Sequence, residues 1–273
     1  MSVLLCGRFE LNLARPLVMG IVNVTDDSFS GDSLHGDVAA AIAQGLAQVA
    51  AGADLLDLGA ESSRPGAVAV TAVQEVDRLL PVIEGLRECG VPISIDTIKP
   101  ETMRAVLAAG VDMINDINAL REPGAVEAVA DSRAAVCLMH MQGTPVNMQA
   151  DPRYDNVVGE VGKFLATRVA ELRAAGIAEA RICVDPGFGF GKTLEHNLAL
   201  LRDLGRISNL PLLVGLSRKS MLGAITGRAV DQRLAAGLAA HVVAVLKGAR
   251  IVRVHDVAAT RDALAVLQAL EEA

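Results

Sequence analysis

The sequence has no tryptophan, one tyrosine and five phenylalanines. Its core must therefore be aliphatic. Apolar residues, many of them Ala, Val and Leu, make up 52% of the chain, enough to build a large core. No apolar run approaches the roughly 18 residues of a membrane helix. The N-terminus carries Arg8, Glu10 and Arg15 among its apolar residues and lacks the layout of a signal peptide. Positive charge is also short, with 25 Lys and Arg against 32 Asp and Glu, a formal net charge of −7. That balance argues against a general nucleic-acid binder but leaves room for a local cationic pocket. The four cysteines, Cys6, Cys89, Cys137 and Cys183, form no C-x-x-C pair, and there is no H-E-x-x-H. A zinc site is therefore not expected, and the thiols read as buried groups in a reducing cytoplasm. Low-complexity segments and linker-like shifts in composition are absent too, so residues 1–273 read as one domain.

What the chain does have is rhythm. Eight short apolar runs recur: LVMGIVNV (17–24), DLLDLG (54–59), PISIDT (92–97), DMINDI (112–117), AVCLMHM (135–141), RICVDPG (181–187), LLVGLS (212–217) and RIVRVHD (250–256). They are nearly continuous in Val, Ile and Leu, as strands covered on both faces must be. Helix-period segments lie between them. Val38, Ile42, Leu46 and Val49 share one helical face, as do Val73, Val76, Leu80 and Ile83, and again Leu234, Leu238, Val242 and Val245. A last helix is expected from about Val257 to Glu272. Eight strand–helix pairs predict a single-domain α/β fold, a (β/α)8 TIM barrel, with an open doubly wound sheet as the alternative.

In such a barrel the reactive groups stand at the C-terminal ends of the strands. Those ends carry Asn23 and Thr25, then Glu61 to Gly66, then Asp96, Asn115 and Asp116, His140, Asp185, Ser217 to Ser220, and Arg253 with His255. Singly, each has a plain reading. Asp96 and Thr97 suit the cap of a helix starting near Lys99, Asn115 or Asp116 suits a turn, and His140 reads as structural. Together they converge on one mouth. Asp96, Asn115 and Asp185 offer acceptors for a flat heterocycle with several N–H donors, such as a 2-amino-4-oxo-pyrimidine. Arg64, Lys219, Arg253 and His255 offer donors for phosphate oxygens. A strand-one Asn beside a pyrophosphate would add one ligand for Mg²⁺. These residues point to a barrel enzyme for a phosphorylated heterocycle, and they leave the reaction open.

The segment DPGFGFGK (185–192) places Phe188 and Phe190 among Gly187, Gly189 and Gly191, where a backbone is expected to be most mobile. It lacks both glycine fingerprints of nucleotide-binding loops. The expectation is that Phe190 forms one wall of a slot for an aromatic substrate, with core packing as the competing reading, stronger for Phe188.

Eight segments, in order, resemble the signatures of the dihydropteroate synthases: MGIVNVTDDSFS (19–30), DLLDLGAESSRPGA (54–67), SIDT (94–97), NDINAL (115–120), LMHMQGTP (138–145), DPGFGFGK (185–192), GLSRKS (215–220) and RVHDV (253–257). The resemblance covers nearly the whole chain. It implies a cytoplasmic, homodimeric pterin-binding barrel in folate biosynthesis that joins hydroxymethyl-dihydropterin pyrophosphate to p-aminobenzoate. It implies that Asn23 binds Mg²⁺. Asp96, Asn115, Asp185 and Lys219 would hold the pterin, with Met139 packed on it. Ser63, Arg64, Arg253 and His255 would meet the pyrophosphate. Pro65, Phe190 and Ser220 would line the p-aminobenzoate pocket, with Phe29 closing it. Asp96, Asp185, Lys219, Arg253 and His255 would carry the catalysis.

The chain departs from the family pattern at Asp26, where Pro is usual, in DSFSGDS, where DSFSDGG is usual, and at Ser63, where Thr is common. These changes bear on loop closure more than on fold. Other readings are a methyltetrahydrofolate-dependent methyltransferase barrel and a pterin-binding paralogue without catalysis. The SRPG and SRKS segments favour the synthase, because a methyl-transfer barrel has no pyrophosphate to hold.

Overall fold

The computed structural model describes residues 2–24, 34–61 and 70–271. All eight apolar runs form strands, and they close into a parallel barrel. In chain order the barrel strands are β3 (Leu17–Asn23), β4 (Leu55–Gly59), β5 (Ile93–Asp96), β6 (Met113–Asp116), β7 (Ala135–Met139), β8 (Ile182–Asp185), β9 (Leu212–Val214) and β10 (Ala249–Val254). Each pairs with the next, and β10 returns to β3 through Ile251 opposite Leu17 and Arg253 opposite Met19. Closure disposes of the open-sheet alternative, since no edge strand remains in the barrel.

Two further strands were not expected from the sequence. β1 (Val3–Cys6) and β2 (Phe9–Asn12) form an antiparallel hairpin. Its Leu4, Cys6 and Leu11, with Leu13, join Leu17, Met19, Leu55, Met113, Cys137, Cys183, Leu213 and Ile251 in one buried cluster. The hairpin thus caps the apolar lower layer of the barrel, at the end remote from the strand C-termini.

Helices follow the strands: α1 (Leu34–Ala50), α2 (Ala72–Leu86), α3 (Pro100–Ala108), α4 (Ala125–Ala130), α5 (Val157–Ala174), α6 (Leu194–Arg202), α7 (Ser220–Thr226), α8 (Leu234–Leu246) and α9 (Val257–Glu271). Three predicted helical faces need correction. In α2, Val73 is 70% exposed, and the inward face is Glu75, Leu79, Val82, Ile83 and Leu86. In α1 the inward positions are Ala41, Gly45 and Gln48, with Leu46 exposed. In α8 they are Gly237, Ala240, His241 and Ala244, while Leu234 is exposed. The reason is steric. In α1 and α8 close approach to neighbouring elements favours small side chains: a Cβ on Gly45 would lie 2.9 Å from Leu86 of α2 and 3.3 Å from Leu56 of β4. The larger apolar residues then turn sideways or outward, which a search for large-residue periodicity misplaces.

Candidate active site

Two residues further along the strands the barrel interior changes character. On β4 Leu55 gives way to Asp57, on β5 Ser94 to Asp96, and on β6 Met113 to Asn115. On β7 Cys137 gives way to Met139, on β8 Cys183 to Asp185, and on β10 Ile251 to Arg253. Residues i and i+2 of a strand share a face, so Asp57, Asp96, Asn115, Asp185 and Arg253 form a polar layer above a mainly apolar one, with Met139 as the apolar member on β7.

Arg253 is its hub. Nε donates to Asp57 Oδ2 at 2.6 Å, and Nη2 donates to Asp96 Oδ2 at 3.0 Å. Asn115 Nδ2 donates to the same Asp57 oxygen at 3.0 Å. Asp57 is wholly buried. A buried carboxylate is costly unless paired, and here an arginine from the last strand reaches across the barrel to pair it. Burial alone would lower the Arg253 pKa, but Asp57 and Asp96 outweigh it and leave it raised. Asp96 is pushed up to about 7 by burial, against the pull of Arg253. Asp185 is pushed up to about 6, again by burial, although its Oδ1 accepts from Gly187 N at 2.7 Å. Lys219 is brought down to about 8 by burial, against Asp185. Shifts of opposite sense toward neutrality, gathered at one mouth, mark a functional site.

An apolar wall stands beside this layer. Met139, Met141, Met148 and Phe190 form a separate buried cluster with Ile117 packed on it. Lys219 Nζ lies 4.3 Å from the centre of the Phe190 ring, a cation–π contact. Phe188, by contrast, is 1% exposed and belongs to the main core, so the two rings of the glycine segment part company.

The glycine segment is not the loose hinge expected from composition. Gly187, Gly189 and Gly191 have φ of 70°, 79° and 61°, the region that glycine alone enters cheaply. Alternate residues are thereby turned, and at Gly187 and Gly191 the backbone packs too closely for a side chain: a Cβ would lie 1.9 Å from His140 O and 2.5 Å from Gln142 O, respectively. Neighbours then hold its polar groups. Gly189 N donates to Asn197 Oδ1 at 2.8 Å, Tyr154 Oη donates to Gly191 O at 2.9 Å, and Gln149 Nε2 donates to Gly189 O. Lys192, 3% exposed, donates to Gly187 O and Phe190 O, both at 2.9 Å.

The other expected residues fall as follows. Asn23 is exposed at the end of β3, opposite Gly59. His255 follows β10, with Nδ1 3.0 Å from Ser217 Oγ. Ser220 is exposed as the first residue of α7. Asp96 does not cap α3. Its neighbour Thr97 accepts from Lys99 N at 3.2 Å and donates to the buried Glu75. Asp116, not Asn115, makes the turn, accepting from Asn118 N at 2.6 Å and Leu120 N at 2.8 Å. His140 is structural, stacked edge-on against Phe164 at 5.0 Å and brought down to about 3 by burial and by Lys192. Arg253, expected on the pyrophosphate side, commits two of its nitrogens to Asp57 and Asp96. Thr25, Asp26, Phe29, Ser63, Arg64 and Pro65 lie outside the described residues.

Sequence reasoning missed Asp57 and Lys192. Asp57 stands inside its apolar run, not at the end where polar residues were sought. The signal was available: a charged residue in a strand covered on both faces must point at a partner. Lys192 was noticed only as the end of the glycine segment.

These groups can grip the N–H edge of a flat ring, lay methionine and phenylalanine against its face, and hold an anion nearby. The sequence profile of the pterin binding enzyme family matches residues 19–255. The dihydropteroate synthase of Neisseria meningitidis serogroup C is 49% identical over 271 residues, covering 97% of this chain and 96% of that one. That of Escherichia coli K12 is 47% identical over 263 residues, covering 95% and 93%. Among solved structures, Xanthomonas albilineans dihydropteroate synthase with 4-aminobenzoic acid superposes with a TM-score of 0.94 at 51% identity, covering 100% of this chain and 99% of that one. The Burkholderia cenocepacia enzyme complexed with 7,8-dihydropteroate gives 0.92 at 50% identity, covering 99% and 97%. Fold and sequence agree across the full barrel, and the chain belongs to the pterin binding enzyme family, as one of its dihydropteroate synthases.

Proposed function

We propose that the chain joins the methylene carbon of 6-hydroxymethyl-7,8-dihydropterin pyrophosphate to the amine of p-aminobenzoate, releasing pyrophosphate and forming 7,8-dihydropteroate. The observation that carries this reading is the acceptor layer of Asp57, Asp96, Asn115 and Asp185, set beside the wall of Met139 and Phe190. A pterin has N–H donors along one edge and two apolar faces, so carboxylates and an amide suit the edge and Met139 the face. The ligands of the two related structures, 4-aminobenzoic acid and 7,8-dihydropteroate, are the second substrate and the product of this reaction.

Departure of pyrophosphate leaves positive charge on the methylene and the pterin ring. Asp185 and Asp96, held in a buried layer, stabilise that charge as it develops. Lys219 sits between the Phe190 ring and the acidic layer, where it orients the pterin and screens the growing charge of the leaving group. His255 with Ser217, the remaining nitrogen of Arg253, and Ser63 and Arg64 of the second loop take the pyrophosphate side. Phe190, Pro65 and Ser220 flank the arylamine, which is neutral at pH 7 and attacks without a strong base.

Mg²⁺ belongs to this reading. It accepts few protein oxygens and completes its shell with phosphate and water. Asn23 offers one exposed amide oxygen, and the described residues hold no cluster of three His, Cys, Asp or Glu side chains. That donor set fits an ion carried on the pyrophosphate, where it would neutralise leaving-group charge.

The reading extends to a cytoplasmic homodimer. The four cysteines are free thiols, and among the described residues no helix is long and apolar enough to cross a membrane. The outer faces of α7 to α9 and the turn between α7 and α8 expose Ile225, Val230, Leu234, Val243, Leu246, Val266 and Leu270, apolar side chains that a second copy would cover.

The test is pyrophosphate release. It should require both substrates, with one pyrophosphate per dihydropteroate formed. Release at full rate without p-aminobenzoate would make the protein a hydrolase and end this reading. In the same assay Asn23→Ala should raise the Mg²⁺ concentration for half-maximal rate, and an unchanged titration removes Asn23 from the metal site.

A further inference from the structure

Lys192 lies in the segment that carries Phe190, yet it faces away from the mouth. Only 3% of it is exposed. Its Nζ meets four acceptors: Gly187 O at 2.9 Å, Phe190 O at 2.9 Å, His140 O at 3.3 Å and His140 Nδ1 at 3.0 Å. An ammonium has three protons and no preferred plane, and it is the side-chain group that can bond to acceptors converging from several directions on one point. Two of these acceptors belong to the glycine segment after β8, and the other two to the residue just after the neighbouring β7. Lys192 is therefore a tie between two barrel loops, and both of its near carbonyl contacts are the bonds that curl the segment.

The curl decides where a ring points. Phe190 O is turned inward onto Nζ, and Phe190 N donates to Gly187 O at 3.1 Å. With both backbone groups turned inward, the side chain is left facing the mouth. It packs there on Met139, Met141 and Met148 and lies beneath Lys219. His140 completes the device. Its Nδ1 is offered to Lys192 while its ring is wedged edge-on against Phe164 at 5.0 Å and tilted against Tyr154 at 6.0 Å.

We propose that Lys192 is a positioning residue for the arylamine substrate: by holding the carbonyls of Gly187 and Phe190 against the end of β7, it fixes the Phe190 ring as a wall of the p-aminobenzoate slot. It touches neither substrate. This rests on the reading above that Phe190 flanks p-aminobenzoate, and the experiment separates the two.

Lys192→Met keeps the volume and removes the donors. In the folded variant the KM for p-aminobenzoate should rise about tenfold or more, the scale that misplacing a contact group by about an ångström produces. The KM for the pterin pyrophosphate should stay within about twofold. A purely structural lysine would lower thermal stability and leave this split absent. The variant is then combined with Phe190→Ala. If Lys192 acts through the ring, it has no further effect on the p-aminobenzoate KM once the ring is gone. Effects that multiply, or a folded Lys192→Met with wild-type KM for p-aminobenzoate, overturn the proposal. If Phe190→Ala alone leaves that KM unchanged, the slot assignment fails first and the proposal with it. Should Lys192→Met not fold, Lys192→Gln keeps two donors and should show the same split at smaller size. A wild-type KM in that variant also overturns the proposal.

Discussion

Asp57 has no solvent exposure and no place at a strand end, yet it organises the site. It accepts from Arg253 on β10 and from Asn115 on β6, so three strands are locked by one carboxylate. Asp185 shows what such burial costs and what it supplies. Its carboxyl, raised to about 6 by burial, keeps its proton in the fold between about pH 4 and 6, where the unfolded chain has released it. The folded state binds more protons in that window, so stability falls as pH rises through it, by on the order of 3 kcal/mol when complete. Ligand binding runs the other way, because the pterin N–H edge needs the anion, and affinity should climb as pH passes about 6. Asp185→Asn should therefore flatten both dependences. The substrate-free variant should be more stable than the parent at pH 8 by urea denaturation, and it should bind pterin weakly at every pH by calorimetry. An unchanged pH slope of stability in the variant would show that another buried acid carries it.

At the scale of elements, the strands contribute by alternation and the glycine segment by close packing. A two-residue step separates Leu55 from Asp57, Met113 from Asn115 and Ile251 from Arg253, so the same strand faces build the dry layer below and the polar layer above. The glycine segment fixes what lies over that layer. Gly187→Ala is expected to cost about 2–4 kcal/mol, because its Cβ would meet His140 O at 1.9 Å in addition to the strain of a φ of 70°. Gly176, with a φ of 88° and no atom within 4 Å of a Cβ, provides the control: Gly176→Ala should lose only the backbone term, about 1 kcal/mol. Chemical denaturation of both variants measures the difference. Equal losses would mean that the segment yields readily, contrary to the packing described.

On the scale of the molecule, the two ends of the barrel do different work. The β1–β2 hairpin covers the lower end and completes an apolar cluster with the strand interiors, while the upper end stays polar and open to substrates. The flank formed by α7 to α9 is a third surface. The 13 residues of α8 include no Asp, Glu, Lys or Arg, and its small residues face the barrel. A surface helix without a charged face is expected to be covered. If a second copy covers it, replacing both Val243 and Leu246, 39% and 61% exposed, by Glu should shift the protein from dimer to monomer in sedimentation velocity. The barrel itself should survive, since neither side chain is in the core. A wild-type protein that sediments as a monomer, or a double variant that still dimerises, would place the interface elsewhere or remove it.

The sequence by itself determined the eight strands, their order and the mouth at which they end. Those features rest on local pattern: apolar continuity makes a doubly covered strand, and a polar residue closing each run must lie at its C-terminal rim. Asp96, Asn115 and Asp185 stand at the rim for that reason. What only the tertiary structure decided depends on partners far away in the chain. The bond from Arg253 to Asp57 spans 196 residues. The apolar run around Asp57 says that it needs a partner, but no local pattern names that partner or says that Arg253 turns to carboxylates. The helical faces were misjudged at α1 and α8 because close approach to neighbouring elements selects small residues there, a property of the distance between elements. The glycine segment read as mobile because glycine is permissive in isolation. In the fold, Lys192 folds back on it from its own last position, and Tyr154, Gln149 and Asn197 reach it from outside. They hold the carbonyls of Gly187, Gly189, Phe190 and Gly191 and the Gly189 N–H, and so convert permissiveness into a single shape.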